Sequence, residues 1–247
     1  MKKLRFLLIF AILVLIPTFI AAQVPEALNI DVESFLKPGN FTKTINLLLG
    51  LSSIGLIPFF LISTTSFLRV VIVLSMVRTA IGTQQSPPNS VIVSLALFVT
   101  IFVMTPTFNE AYQTAVKPYK EGSINQFKAI ELGIKPFREF MLKFIREKDL
   151  ALFLEFSKLK NVTNYDSIPI FVLIPSFIIS ELKTAFQIGF LLFIPFIVID
   201  LIISNILLSL GMFMLSPAMI SLPFKILLFV LTDGWNLIIQ GLLLSFR

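Results

Sequence analysis

The sequence predicts an all-α membrane protein: about four apolar helices in two hairpins, a small helical domain outside the bilayer, and an N-terminal signal peptide. Three observations carry this. Hydrophobic residues make up 56% of the 247 residues and charged residues only 14%, with a mean hydropathy of +0.94, whereas an ordinary soluble domain is about a quarter charged. Several uncharged runs are long enough to cross a hydrocarbon core of about 30 Å at about 1.5 Å per residue. Gly and Pro interrupt those runs where helices would turn.

Whole classes of chemistry are excluded by composition. There is no cysteine and no histidine, so disulfides, thiolate or imidazole metal sites and Ser–His–Asp or Cys–His catalysis are out. The formal charge is +6, but ten of the 20 Lys and Arg lie between Lys117 and Lys160, interleaved with acids. That is a mixed solvated surface rather than a nucleic-acid face. No phosphate loop, dinucleotide fingerprint, HExxH or GxSxG occurs. Asp200 and Asp233 lie on successive helices, but no Gly-Asp motif supports Asp200, and a catalytic carboxylate pair needs one close, shared site. The reading is of a protein that is not an enzyme and holds no cofactor and no metal.

Residues 1–22 read as a signal peptide: Lys2, Lys3 and Arg5, the apolar run Phe6 to Ile16, a helix break at Pro17 and small Ala21-Ala22. An uncleaved anchor is the alternative. Residues 23–43, with Pro25, Pro38 and Gly39, form an exported connector. Residues 44–109 make the first apolar hairpin. Thr44 to Leu68 is 25 residues without a charge, and Pro58 predicts a kink. The apolar pattern continues past Arg69 to Val77, so this helix either projects beyond the bilayer or packs inside protein. The loop 78–89 (Arg78, Gln84, Gln85, Pro87, Pro88) is a turn by every local signal. Asn89 is predicted to cap the next helix, which runs through Val91 to about Phe108. Arg69 and Arg78 place this loop in the cytoplasm.

Residues 110–166 form the soluble-looking helical domain. Phe137, Phe140, Met141, Phe144 and Ile145 recur at helical spacing, and Leu150, Phe153, Leu154 and Phe156 extend the pattern in a second helix. So many rings on so thin a core point either to neighbouring subunits, through Phe137, Phe140 and Phe144, or to the domain's own interior. Residues 167–247 form the second apolar hairpin, Thr184 to Phe224 carrying one charge, Asp200. Lys225 is placed on the inner side, and the last helix is predicted to run to Phe246 through Thr232-Asp-Gly-Trp235. Glu181 and Lys183 interrupt the apolar run. Two residues apart on a helix, they point in different directions and do not pair with each other well. Each is expected to find a partner on another helix or chain.

The break between residues 210 and 225 is the predicted working centre. Gly211, Pro217 and Pro223 argue against one straight helix, and Met212, Phe213 and Met214 sit beside the break. Broken backbone at membrane depth is tolerated only against protein or a cavity, and methionine suits a contact that closes tightly yet deforms. The same residues would also serve a plain hairpin whose methionines fill core space.

Two stretches closely resemble signatures of the FliP family, the flagellar biosynthetic protein of the type III export gate. They are Pro175-Ser-Phe-Ile-Ile-Ser-Glu-Leu-Lys-Thr-Ala-Phe-Gln-Ile-Gly189 and Pro223-Phe-Lys-Ile-Leu-Leu-Phe-Val-Leu-Thr-Asp-Gly-Trp235. The loop Arg78 to Asn89 is similar to a third, and the resemblance spans nearly all the chain from Leu47. It implies a pore-forming subunit that passes unfolded flagellar substrates across the bacterial inner membrane, its exported domain periplasmic. It also implies a pentameric, helically staggered ring with R-type and Q-type subunits, surrounded by A-type and B-type export proteins, much of it lifted out of the bilayer. The family's methionine-rich pore loop maps onto Met212 and Met214, with Phe213 where relatives often carry a third methionine. On the same footing Glu181 and Lys183 are assigned to contacts between subunits, and Gln84 to Asn89 to the cytoplasmic mouth. A signal peptide and an exported domain resemble the flagellar branch more than the virulence injectisome (SctR) branch. A small-solute transporter or channel is the other alternative, against which stands the lack of an inverted repeat in hydropathy.

Overall fold

The computed structural model describes Ile45, Gly50, Ser52, Gly55 and residues 58–157 and 168–247. The expected signal peptide and connector, and ten of the 25 residues of the first apolar run, lie outside the described residues. The chain divides into two compact units, Met1–Leu56 and Ile57–Arg247, and the architecture below belongs to the second. All regular structure among the described residues is helical: α1 (Pro58–Thr64), α2 (Phe67–Ile81), α3 (Asn89–Ala111), a π-helical turn (Tyr112–Val116), α4 (Lys117–Lys120), α5 (Gln126–Phe144), α6 (Glu147–Phe156), α7 (Ile170–Ser209), α8 (Pro217–Leu231) and α9 (Gly234–Leu244). Among the described residues two stretches, Asn89–Lys120 and Ile170–Ser209, are long and apolar enough to cross a membrane, and up to four spans result if each of two bent helix pairs is one span.

The first bent pair lies beyond Pro58, and the turn in which the expected kink at Pro58 would show lies partly outside the described residues. The chain turns by 81° between α1 and α2, at Thr65–Ser66. The cause is a run of hydroxyls that compete with the helical ladder. Ser63 Oγ donates to the Phe59 carbonyl at 2.7 Å and Thr64 Oγ1 to that of Phe60 at 2.7 Å. Thr65 Oγ1 bonds the Leu61 carbonyl and accepts the Phe67 N–H at 3.3 Å. Beyond the bend, α2 is the core of the unit: Val70, Val73, Leu74 and Val77 are sealed from solvent. Its apolar pattern therefore serves packing inside protein. It lies along α7, and at Gly189 the two helices are so close that a Cβ would sit 2.2 Å from Met76 Sδ.

Helix α7 runs unbroken for 40 residues through Pro175, Glu181, Lys183 and Pro195. At about 1.5 Å per residue it is roughly twice the thickness of a hydrocarbon core. Between the two long helices, residues 110–157 stay helical. The helix of α3 passes Pro106, widens into the π turn and ends at Lys120. Helix α5 starts at Asn125, whose side chain accepts the Lys128 N–H at 2.9 Å. The pattern of Phe137, Phe140, Met141 and Phe144 is realised on α5, but its core is shared with α7: Met141 and Leu150 are buried against Val172, Leu173 and Phe177. Phe140 makes ring contacts with Phe144, Phe177 and Phe246, and Phe137 with Phe108. Phe156, expected to extend the row, is 78% exposed.

Two further expectations are corrected near the C-terminal end. Pro223 lies inside α8, so the break narrows to Leu210–Ser216. The last apolar stretch is two helices, α8 and α9, bent by 63° at Thr232–Asp233. Asp233 takes φ 48, the left-handed region that Asp tolerates better than most. At Gly234 a Cβ would meet the Phe229 ring at 2.4 Å.

Candidate functional site

The loop Leu210–Ser216 is built by its two ends. Helix α7 stops in a Schellman motif: Gly211 takes φ 72, its N–H bonds the Leu208 carbonyl at 3.1 Å, and the Met212 N–H bonds that of Leu207 at 2.9 Å. Helix α8 restarts at Pro217, whose fixed φ and missing N–H cost nothing at a first helical position. Between these ends four large apolar side chains stand out from the molecule, Met212 at 42%, Phe213 at 77%, Met214 at 100% and Leu215 at 44% exposed. A plain hairpin with methionines filling its core would bury them. Four such side chains in sequence form a patch that calls for an apolar environment or a partner.

An ion pair fixes the base of this loop. Asp200 on α7 accepts from Lys225 Nζ at 2.7 Å and from Ser221 Oγ at 2.6 Å, both on α8. Lys225 is almost fully buried, and the contact ties the two helices together about two and a half turns below the loop. Asp233 instead accepts from Asn236 in the α8–α9 bend at 3.0 Å. The two aspartates thus have separate partners and form no shared carboxylate site.

Deeper in the unit, Arg69 gathers four elements. Its Nε donates to Glu181 Oε2 at 2.9 Å, and its Nη2 contacts Oε1 of the same carboxylate. Nη1 reaches Ser245 just past α9, at 2.9 Å to the carbonyl and 3.0 Å to the hydroxyl. The guanidinium also lies 3.9 Å from the centre of the Phe246 ring and 5.3 Å from that of Phe144. A bidentate guanidinium–carboxylate pair of this kind suits arginine rather than lysine. Arg69 is 3% exposed and Glu181 fully buried. Arg69 was counted with Arg78 and Lys225 as marking the inner side of the membrane. Arg69 and Lys225 are both buried and paired inside the chain, so of the three only Arg78 still speaks to orientation.

Lys183 meets Asp149 of α6, which also accepts from Ser180 Oγ at 2.9 Å. Burial pushes the Asp149 carboxyl up, but hydrogen bonds from Lys183 and Ser180, with the charges of Lys183 and Arg146, outweigh it. They hold the group below its ordinary 3.8. The lowered folded-state value means that Asp149 contributes stability in full above its unfolded pKa of about 3.9. That contribution fades as pH falls further and is lost below the folded value. Asp149→Asn is therefore expected to lower the melting temperature of the detergent-solubilised protein at pH 7 and to differ progressively less from wild type on acidification below pH 4. A difference that stays constant through the acid range would show that the charge of Asp149 plays no part.

A model described as the FliP family matches residues 50–242. Flagellar biosynthetic protein FliP of Bacillus subtilis (strain 168) is 50% identical over 217 residues, covering 88% of this chain and 98% of the relative. The protein of the same name in Aquifex aeolicus (strain VF5) is 44% identical over 241 residues, covering 96% and 98%. That of Caulobacter vibrioides is 47% identical over 228 residues, covering 92% and 85%. The chain belongs to the FliP family. In this FliP-family chain the matched region runs from early in the first apolar run into α9, and so contains the exposed loop, its ion-pair base and the Arg69–Glu181 pair.

Of the residues singled out for FliP-type function, Met212, Phe213 and Met214 fall together on the loop. Glu181 and Lys183 go to different partners, Arg69 and Asp149, each in the same chain. Phe140 and Phe144 pack around Phe246 beside Arg69. The loop 78–89 is closed by Arg78, which donates to the Asn89 side chain at 2.6 Å and to the Pro87 carbonyl at 3.2 Å. Asn89 was expected to cap α3. It is the first helical residue after Pro88 and spends its oxygen on Arg78 instead. Gln84, Gln85 and Pro88 are exposed and Pro87 is half-buried. The roles that composition missed belong to Arg69, Asp149, Ser221 and Lys225. For Arg69 and Lys225 the available signal was a lone charge in an apolar run, which is a functional candidate by default; Asp149, in the charged run 146–149, and the uncharged Ser221 carried no such signal.

Proposed function

We propose that this chain is a pore-forming subunit of the flagellar type III protein export gate, passing unfolded flagellar substrates across the bacterial inner membrane. The observation that carries the reading is the Leu210–Ser216 loop. Its backbone ends are fixed by a Schellman cap, a first-turn proline and the Asp200–Lys225 pair, while its side chains are apolar, soft and uncovered. Several copies of the chain, five by resemblance to the family, present Met212, Phe213 and Met214 to a common axis. Water is expelled from an apolar constriction of that kind, which blocks ions, and unbranched methionine side chains reshape around an extended polypeptide. The chain does this without catalysis, cofactor or metal. R-type and Q-type subunits complete the ring, and A-type and B-type export proteins surround it. Residues 110–166 lie on the periplasmic side, the loop 78–89 faces the cytoplasmic mouth, and the exposed parts of the α5 Phe row and of Lys183 are available to neighbouring subunits.

The test is a photo-crosslinking residue in place of Phe213, with an export substrate stalled by a folded fusion. The expected adduct joins the stalled substrate to position 213. The same probe in place of Phe98, exposed on the outer face of α3, is expected to give none. Equal yields at the two positions, or none at 213, would remove the loop from the substrate path.

A further inference from the structure

We infer that Met212 and Met214 are a modification site, at which oxidation by a peroxide to methionine sulfoxide unseals the resting constriction and lets ions through. The chain has seven methionines and no cysteine, so thioethers are its most readily oxidised groups. Their surroundings divide them. Among the described residues Met104 and Met141 are buried and Met76 packs against Gly189, whereas Met212, Met214 and Met219 stand exposed. Every exposed thioether of the described residues therefore falls between positions 212 and 219.

The reaction needs only a peroxide and a path to sulfur. A lone pair on Sδ attacks one oxygen of hydrogen peroxide, the O–O bond breaks as the S–O bond forms, and the second oxygen leaves with both protons as water. Sulfur gives up two electrons and the peroxide takes them. Copies that meet on a common axis cover each loop from its sides. The two faces along the axis stay open to water, and hydrogen peroxide is little larger than water. What changes is the lining. A sulfoxide carries a strong S–O dipole and accepts hydrogen bonds, so holding it in a dry constriction without a partner is unfavourable. Water follows the dipole in, and a ring that blocks ions because it is dry no longer does so. Neither side chain belongs to the core, so the Gly211 cap, the helix start at Pro217 and the Asp200–Lys225 pair stay as they were. Met219, on the first turn of α8 and outside the loop, is the internal comparison.

This rests on the proposed role of the loop as the seal. The test treats cells that assemble the gate with dilute hydrogen peroxide, follows their ion content, and maps oxygen gain at each methionine of the extracted complex by peptide mass. Met212 and Met214 are expected to oxidise several-fold faster than Met76, Met104 and Met141, the complex to keep its mass, and wild-type cells to lose ions. Met212→Leu with Met214→Leu leaves no thioether in the loop and should hold its gradient at the same dose. Met219→Leu should leak as wild type does. Loop methionines that stay unoxidised, a leak undiminished in the leucine pair, or a leak abolished by Met219→Leu would each overturn the site. Met212→Gly with Met214→Gly, without peroxide, separates the two readings. If it leaks while oxidised wild type holds its ions, only the oxidation site fails; if it holds its ions, the seal fails and this site with it.

Discussion

Arg69→Ala and Glu181→Ala are each expected to destabilise the isolated chain by roughly 3–5 kcal/mol, the usual cost of leaving one member of a buried ion pair behind. For a unit of about 190 residues that is a fall in melting temperature of roughly 6–20 °C. The two substitutions are not equivalent. Removing Glu181 strands one guanidinium that still bonds Ser245 and lies over Phe246. Removing Arg69 strands a fully buried carboxylate and also frees the end of α9, so Arg69→Ala is expected to cost more. Replacing both, as Arg69→Met with Glu181→Leu, takes away both charges while keeping volume, and should recover most of the loss. Thermal melts of the detergent-solubilised chain, alone and in the assembled complex, measure this. If the single variants melt like wild type when alone and weaken only the complex, Glu181 acts between subunits, as the sequence suggested, rather than within one.

That alternative shows where sequence reading stops. Glu181 and Lys183 were visible as charges in an apolar run, and an intramembrane charge needs a partner. Their partners, however, lie 112 and 34 positions away, and no local pattern encodes such a pairing. Helix α2 makes the same point for packing. A helix apolar all round is buried, but composition cannot tell burial in lipid from burial in protein. The bends were more legible than they looked. Ser63-Thr-Thr-Ser66 announces a run of hydroxyls able to bond back to the preceding turn, and Asp233-Gly234 is a turn dipeptide. Each was outweighed by the apolar residues on both sides. The exposed loop was legible because Gly211 and Pro217 carry backbone requirements that hold in any context. Pro223 carries a weaker one, which α8 absorbs.

Replacing Met212 and Met214 by glycine is expected to make cells that assemble the gate leak ions. The argument turns on where the side chains sit. Because Met212 and Met214 are exposed in the unit, their loss removes no core contact, and surface substitutions of this kind usually change stability by no more than about 0.5 kcal/mol. The left-handed turn at Gly211 and the helix start at Pro217 are untouched, so the chain should fold and assemble as before. What changes is the constriction alone. Without thioether side chains a ring of such loops is wider and no longer lined by hydrocarbon, so water and then ions can fill it. Met212→Leu with Met214→Leu separates sealing from pliability. Leucine keeps the apolar lining, so resting ions stay blocked, but its branched side chain deforms less readily than methionine, and substrate export should slow. Intracellular ion content under an imposed gradient, read beside the mass of the extracted complex, decides the matter. If normally assembled glycine variants hold their gradients as wild type does, the exposed loop is not the seal.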